Sequence, residues 1–389
     1  MVDFNNSKKA FADKSNFDLN RAYFLFKTIS NPLISSILTS SVKFALFLRL
    51  PVTQIIKATI YKHFCGGETI IDSNETINKL WKSSIGTILD YSAEGKEKEK
   101  DFNNVRDETI KVLRIATDNE KIPFVVFKLT GLIKFNILRK LSKKEDLNKV
   151  ENLEFDNFKL RITEICNAAV KANKPIFIDA EESWIQNAID DIVLQLMKKY
   201  NSKHVLIYNT LQFYRNDRID YLKKIIKKAK KENFKLGLKL VRGAYHQQEL
   251  ERAYQNNYEI PVHLKKENTD NDFNLALKIC IDNITNVSFC AGTHNEESSN
   301  LLIQLMQENG IANNDKRIYS SQLLGMSDNI SYNLSKENFN VSKYVPYGPV
   351  KDVIPYLIRR AEENASISGQ MGRELINIIA EQKRRKKTN

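Results

Sequence analysis

Tyr356, Arg359 and Arg360, in the segment PYLIRRAEEN, fall at i, i+3 and i+4, so on a helix the tyrosine shares a face with both arginines. Two guanidiniums side by side suit a carboxylate, which arginine grips through parallel hydrogen bonds. Elsewhere single cations interrupt apolar runs, Lys128 in VVFKLTG and Lys239 in LGLKLV. A lysine inside such a run is costly unless paired, which marks both as functional candidates. Asp179, at the end of IFID, is the natural counter-charge for Lys128. Each signal alone also fits a solvated helix face or a structural ion pair. Together they describe a cationic pocket suited to a small carboxylate beside a large anionic cofactor.

Such residues need a scaffold that gathers distant segments. From about residue 85 the chain alternates short β-branched or aromatic runs with longer amphipathic stretches. The predicted strands are Ile85–Tyr91, Pro123–Leu129, Pro175–Ala180, His204–Asn209, Leu236–Val241, Val287–Ala291, Arg317–Ser320 and Val341–Val345. Eight strands in βαβ alternation predict an α/β fold, a (β/α)8 TIM-type barrel of parallel strands. In that architecture the C-terminal strand ends face the active site. Those ends carry Asp90 to Glu94, Lys128, Asp179 to Glu182, Gln212, Lys239 running into LVRGAY, Thr293 and His294 in CAGTHNEE, Leu323 in SQLLGM, and Tyr344 in YVPYGP. No GxGxxG follows the first strand, which weighs against a dinucleotide-binding open sheet.

The expected boundaries are a helical N-terminal arm at 1–84, the barrel at 85–372, and a basic tail at 373–389 read as solvated and frayed. Residues 23–64 are the most apolar stretch, punctuated by lysines and an arginine, as in helices lying on a core or on a membrane surface. No run reaches the roughly 20 apolar residues of a spanning helix. The 60 Lys+Arg against 47 Asp+Glu leave +13, which suits an anionic membrane face, an anionic cofactor or simply a lysine-rich solvated surface. The four cysteines are scattered and suggest neither a metal site nor a disulfide framework, which favours a reducing compartment. His63 and Cys65 read as structural.

The segments LKLVRGAY, FIDAEE, GTHNEE, QLLGMSD and YVPYGPVKDVIPYLIRRAEEN resemble, in order, the motifs of the proline dehydrogenase family, from about Asp90 to Gly372. The likeness is to the single-function, mitochondrial-style branch, because the fifth strand reads KLVRGAY. The resemblance implies a distorted (β/α)8 barrel with FAD at the strand C-termini. It implies that Arg359 and Arg360 hold the proline carboxylate with Lys128, that Asp179 orients Lys128, and that Tyr245, Leu323, Tyr344 and Tyr356 wall the ring. Glu94 matches the acidic residue that pairs with the first arginine to close the site. Gln212, Lys239, Val241, Gly243, Thr293 and His294 are expected on the flavin and its phosphate chain, with Lys266 as a phosphate partner. Two positions depart from relatives: Lys239 stands where the bifunctional enzymes have arginine, and His246 replaces a Trp or apolar residue and is expected to be exposed and inert.

The reaction so implied is oxidation of L-proline to Δ1-pyrroline-5-carboxylate, with hydride passing to flavin N5 and electrons to a membrane quinone. Clustered cations disfavour a second positive charge nearby and so lower the pKa of the substrate amine, which hydride loss requires to be neutral. Tyr344 favours proline over 4-hydroxyproline, and hydroxyproline dehydrogenase is the near alternative. A lysine Schiff-base aldolase or lyase on the same barrel is a more distant one. A non-catalytic membrane or nucleic-acid adaptor using the +13 charge is a third, although no nucleic-acid partner is expected. A cytoplasmic enzyme, peripheral on the inner face of a membrane, or a mitochondrial matrix enzyme would fit.

Overall fold

A computed structural model describes residues 2–29, 53–91, 97–366 and 370–388. Eight parallel strands close in sequence order into a barrel: β1 (Ile85–Tyr91), β2 (Phe124–Lys128), β3 (Ile176–Asp179), β4 (Ile207–Gln212), β5 (Leu236–Val241), β6 (Val287–Gly292), β7 (Ile318–Leu323) and β8 (Val341–Tyr347). The expected fold class is the observed one, and each predicted strand overlaps the strand found. β4 is displaced toward the C-terminus by three residues. Asn201 causes the shift: its amide oxygen accepts from the backbone N–H groups of Leu206 and Ile207, holding the preceding residues in a turn.

The chain divides into two compact units, 93–321 and 2–92 with 322–389. In the first, strand parity decides which side chains reach the site. Phe124 and Phe177 stack at 4.2 Å between ring centres, and Tyr208 and Tyr319 meet Phe124 edge-on at 5.5 and 4.8 Å. This aromatic floor fills the barrel interior near the strand N-termini. Side chains alternate along a strand, so the residues two and four positions on point inward as well. From the floor that rule carries Phe124 to Lys128, Phe177 to Asp179, and Tyr208 to Gln212. Register agrees, with Lys128 opposite Asp179 and Thr210 opposite Lys239 on neighbouring strands. Most outward positions are apolar and packed beneath amphipathic helices, and outward Asn209 donates to Asp190 on one of them. Among these, Lys149–Ala172 opens on an Asn148–Glu151 capping box and ends on left-handed Asn173.

In the second unit β1 pairs with β8 from Ile85↔Val341 to Tyr91↔Tyr347. Its core gathers Phe11, Leu19, Phe26 and Phe64 from the N-terminal helices with Val353, Leu357 and Ile378 from the C-terminal ones. The last residues correct the expectation of a frayed tail. Gln370–Thr388 is a helix packed on Asn16–Ile29, and its buried Glu381 takes Arg384, Arg385 and the Ser7 hydroxyl. Arg385 also donates to the Phe11 carbonyl at 3.0 Å. Two cations of the basic run, Arg384 and Arg385, are thus held by a carboxylate one turn earlier. Much of the apolar stretch 23–64 lies outside the described residues, as does Glu94.

Candidate active site

In the unit 93–321 the inward strand ends meet as charge. Lys239, only 6% exposed, donates to Asp179, and its ammonium stands 5.8 Å from the Phe177 ring centre. Lys128 donates to the Tyr245 hydroxyl at 3.5 Å. Asp179 was expected to orient Lys128; its carboxylate holds the Lys239 ammonium, while Lys128 faces it across the β2–β3 register. The two lysines and one aspartate leave a net positive interior.

Glu181, two residues past Asp179, ties the loop after β2 to the loop after β3. It accepts from the Thr130 backbone N–H at 3.1 Å and from the Thr130 hydroxyl, while its own N–H donates to Gln186. Burial pushes its carboxyl up to about 7, against the pull of Lys128 and Thr130. Arg242 ties the loop after β5 to the loop after β6. It donates to Asp270 at 2.6 Å, to the Thr293 hydroxyl at 2.7 Å and to Ser298 at 2.8 Å, with Phe273 under its guanidinium. Burial lowers the Arg242 pKa from its usual value.

The predicted cofactor residues group at this end. Val241 ends β5, and Gly243 follows at φ 131°, pressed against the Tyr214 ring. Thr293 and His294 follow β6. Gln212 is buried, and its Oε1 has no hydrogen-bond partner among the described residues. Buried amide oxygens are seldom left so, and a bound donor group would satisfy this one. Lys266 is mostly exposed and reaches Asp270 at 2.5 Å, so it joins the Arg242 cluster from its outer side. His246 is not the exposed residue expected: it is half-buried, with Nε2 2.8 Å from the His263 carbonyl. Sequence reasoning gave Arg242 no role, and it read Glu181 only as one of the acids at a strand end without its tie to Thr130, because one cation or carboxylate among several there does not announce its partners.

In the other unit, Leu323 ends β7 and Tyr344 lies in β8, where its carbonyl accepts from the Leu324 N–H at 2.8 Å. Buried Lys343 beside it pairs with Asp328 at 2.9 Å and donates to the Leu323 carbonyl at 3.3 Å, pinning the QLLGMSD turn. Gly325 in that turn has φ 76°. Tyr356, Arg359 and Arg360 lie on the helix Val350–Ser366, as their spacing predicts. The Arg360 guanidinium stands 5.4 Å from the Tyr356 ring centre, the i, i+4 stacking that the pattern allows. Tyr344 and Tyr356 are buried.

Comparison with known proteins agrees with this layout. The family model described as "Proline dehydrogenase" matches residues 73–373. The chain is 32% identical over 429 residues to "Proline dehydrogenase 1, mitochondrial" of Dictyostelium discoideum, covering 98% of this chain and 74% of the relative. It is 32% identical over 311 residues to "Carbapenem antibiotics biosynthesis protein CarD" of Pectobacterium carotovorum, covering 80% of each. Among solved structures, proline utilization A (PutA) from Bdellovibrio bacteriovorus, inactivated by N-propargylglycine, superposes with a TM-score of 0.73 at 18% identity. That match covers 93% of this chain and 38% of the PutA chain, and it speaks for the fold. The barrel, the motif-bearing strand ends and a family match over most of the sequence lead to one conclusion: this chain belongs to the proline dehydrogenase family, oxidoreductases that act on proline.

Proposed function

We propose that the chain is an FAD-dependent proline dehydrogenase that oxidises L-proline to Δ1-pyrroline-5-carboxylate and passes the electrons to a quinone. The observation that carries this reading is the set of Lys128, Asp179 and Lys239 at the C-terminal ends of β2, β3 and β5, with Tyr245 on Lys128. Bound FAD would supply the two-electron acceptor for the hydride leaving the ring carbon beside the nitrogen. The residues present suit it: the Lys239 ammonium, the Thr293 hydroxyl, and the unsatisfied amide oxygen of Gln212, with Gly243 offering close backbone approach. Val241 and His294 would border it, with Lys266 toward its phosphates.

In this reading Arg359 and Arg360 grip the proline carboxylate and Lys128 adds a third cation. Tyr245, Leu323, Tyr344 and Tyr356 enclose the ring and exclude water, and Glu94 pairs with Arg359 to close the site. The cations lower the amine pKa of bound proline, so the nitrogen loses its proton before the hydride departs and the C=N bond can form. Lys239, already held by Asp179, stabilises negative charge arising on its side of the barrel. Tyr344 restricts the site to proline over 4-hydroxyproline. The enzyme would work in a cytoplasm or mitochondrial matrix, peripherally where its quinone lies; among the described residues no helix is long and apolar enough to cross a membrane.

Arg359→Met and Arg360→Met test the carboxylate assignment. A lost bidentate contact costs about 2–3 kcal/mol, so the KM for proline should rise ~30–150-fold with the yellow cofactor still bound. Variants with unchanged KM would remove both arginines from the substrate.

A further inference from the structure

Glu249 has no part in the chemistry proposed above, yet it is fully buried, and its carboxylate joins three loops that each carry a site residue. It accepts from the Ser183 backbone N–H at 2.7 Å and from the Ser183 hydroxyl at 2.5 Å. The Tyr214 hydroxyl lies 3.5 Å away and donates from a third loop. Ser183 starts the helix that follows Asp179, Tyr214 lies two residues after Gln212, and Glu249 lies four residues after Tyr245.

The helix bearing Glu249, His246–Asn256, needs such an anchor. Its buried residues are Glu249 and Ala253 alone, so little apolar area holds it down. It follows Gly243 and Ala244, both exposed, the first at a φ that leaves the backbone free to turn. A second contact reinforces the same junction, with Arg252 stacked on Trp184 at 4.3 Å. Tyr245, immediately before the helix, takes its place beside Lys128 from the position the helix adopts.

We infer that Glu249 is a positioning residue: by clamping the start of the helix Ser183–Tyr200 it sets Tyr245 against Lys128 and so fixes one wall of the substrate site. The inference rests on the proposed proline site for its kinetic consequence, though not for the clamp itself.

The test compares Glu249→Ala, Glu249→Gln and Ser183→Ala in the flavin-loaded enzyme. Misplacing a substrate-contacting group by about 1 Å costs up to ~100-fold, so Glu249→Ala should raise the proline KM ~10–100-fold while kcat stays within about threefold. Glutamine can accept from the Ser183 N–H and donate to its hydroxyl, so Glu249→Gln should return to within about threefold of wild type. Ser183→Ala, which deletes one hydrogen bond and leaves the carboxylate, should fall between and keeps the test open if Glu249→Ala fails to fold. Hydrogen exchange of the amides in residues 243–256 should accelerate in Glu249→Ala and Ser183→Ala. Unchanged exchange there would overturn the clamp whatever the substrate. Faster exchange with an unchanged proline KM would overturn the positioning role. A wild-type enzyme inactive on proline would instead sink the functional reading, with the exchange result still judging the clamp.

Discussion

The Glu181 carboxyl shows what a charged strand end demands of its surroundings. It is 4% exposed, its two oxygens are taken by Thr130, and burial pushes it up to about 7. Unfolded, it titrates near the ordinary glutamate value of 4.5. Because the folded value is raised, its contribution to stability is fully present below about pH 4.5 and is lost as pH rises through about 7. The gap is equivalent to about 3 kcal/mol. Asp217, held down to about 2 by Arg218 and Arg215 against its own desolvation, works in the opposite sense and loses its contribution only as pH falls below about 4. The melting temperature should therefore decline between pH 5 and 8. Glu181→Gln keeps a neutral group with an acceptor for the Thr130 N–H and a donor for its hydroxyl, so its profile should be flatter over that range. Parallel profiles for the two proteins would show that Glu181 is not the titrating group. Lys128, Asp179 and Lys239 were legible in the sequence because a charge in an apolar strand has few structural excuses. Glu249 was not, and Glu181 was read only as one acid of a strand end, since such carboxylates are ordinary until their burial and partners are seen.

Among the elements, the strands could be read closely where Gly, Pro or Asn bounded an apolar run, and β5 coincides with its predicted span. β4 slipped because Val205 and Leu206 resemble strand residues, whereas Asn209, Thr210 and Gln212 look like loop residues and in fact line β4. Thr210 and Gln212 turn their polarity into the barrel, while Asn209 points outward and donates to Asp190 on the helix Ser183–Tyr200. The terminal helix was hidden for another reason: a run of like charges predicts repulsion unless one knows that Glu381 lies beneath it. The turn after β5 gives a direct test of local geometry. A Cβ on Gly243 would come within 2.4 Å of the Tyr214 ring, which is itself buried and cannot swing away, and φ 131° is closed to other residues. Gly243→Ala should cost on the order of 1–3 kcal/mol from backbone strain, with the clash added to it. Thermal unfolding will read this, and a variant as stable as wild type would mean that the turn adopts another conformation.

For the whole molecule, length and βαβ alternation were enough to reach the barrel, and motif order was enough to reach the family. What they could not supply was the pairing of charges inside it: that the Asp179 carboxylate takes the Lys239 ammonium from two strands away is not written in either motif. The net charge of +13 counts every carboxylate, including Glu381, Asp328 and Asp270 that hold cations in place, and it says nothing of where the excess lies, so alone it says little about a nucleic-acid or membrane partner.

The central claim, that this barrel takes electrons from proline into a bound flavin, is tested most directly by the visible absorbance spectrum of the purified protein before and after anaerobic addition of L-proline. The account predicts flavin bands that bleach on addition. A colourless protein that FAD does not reconstitute, or flavin bands untouched by proline, would contradict it.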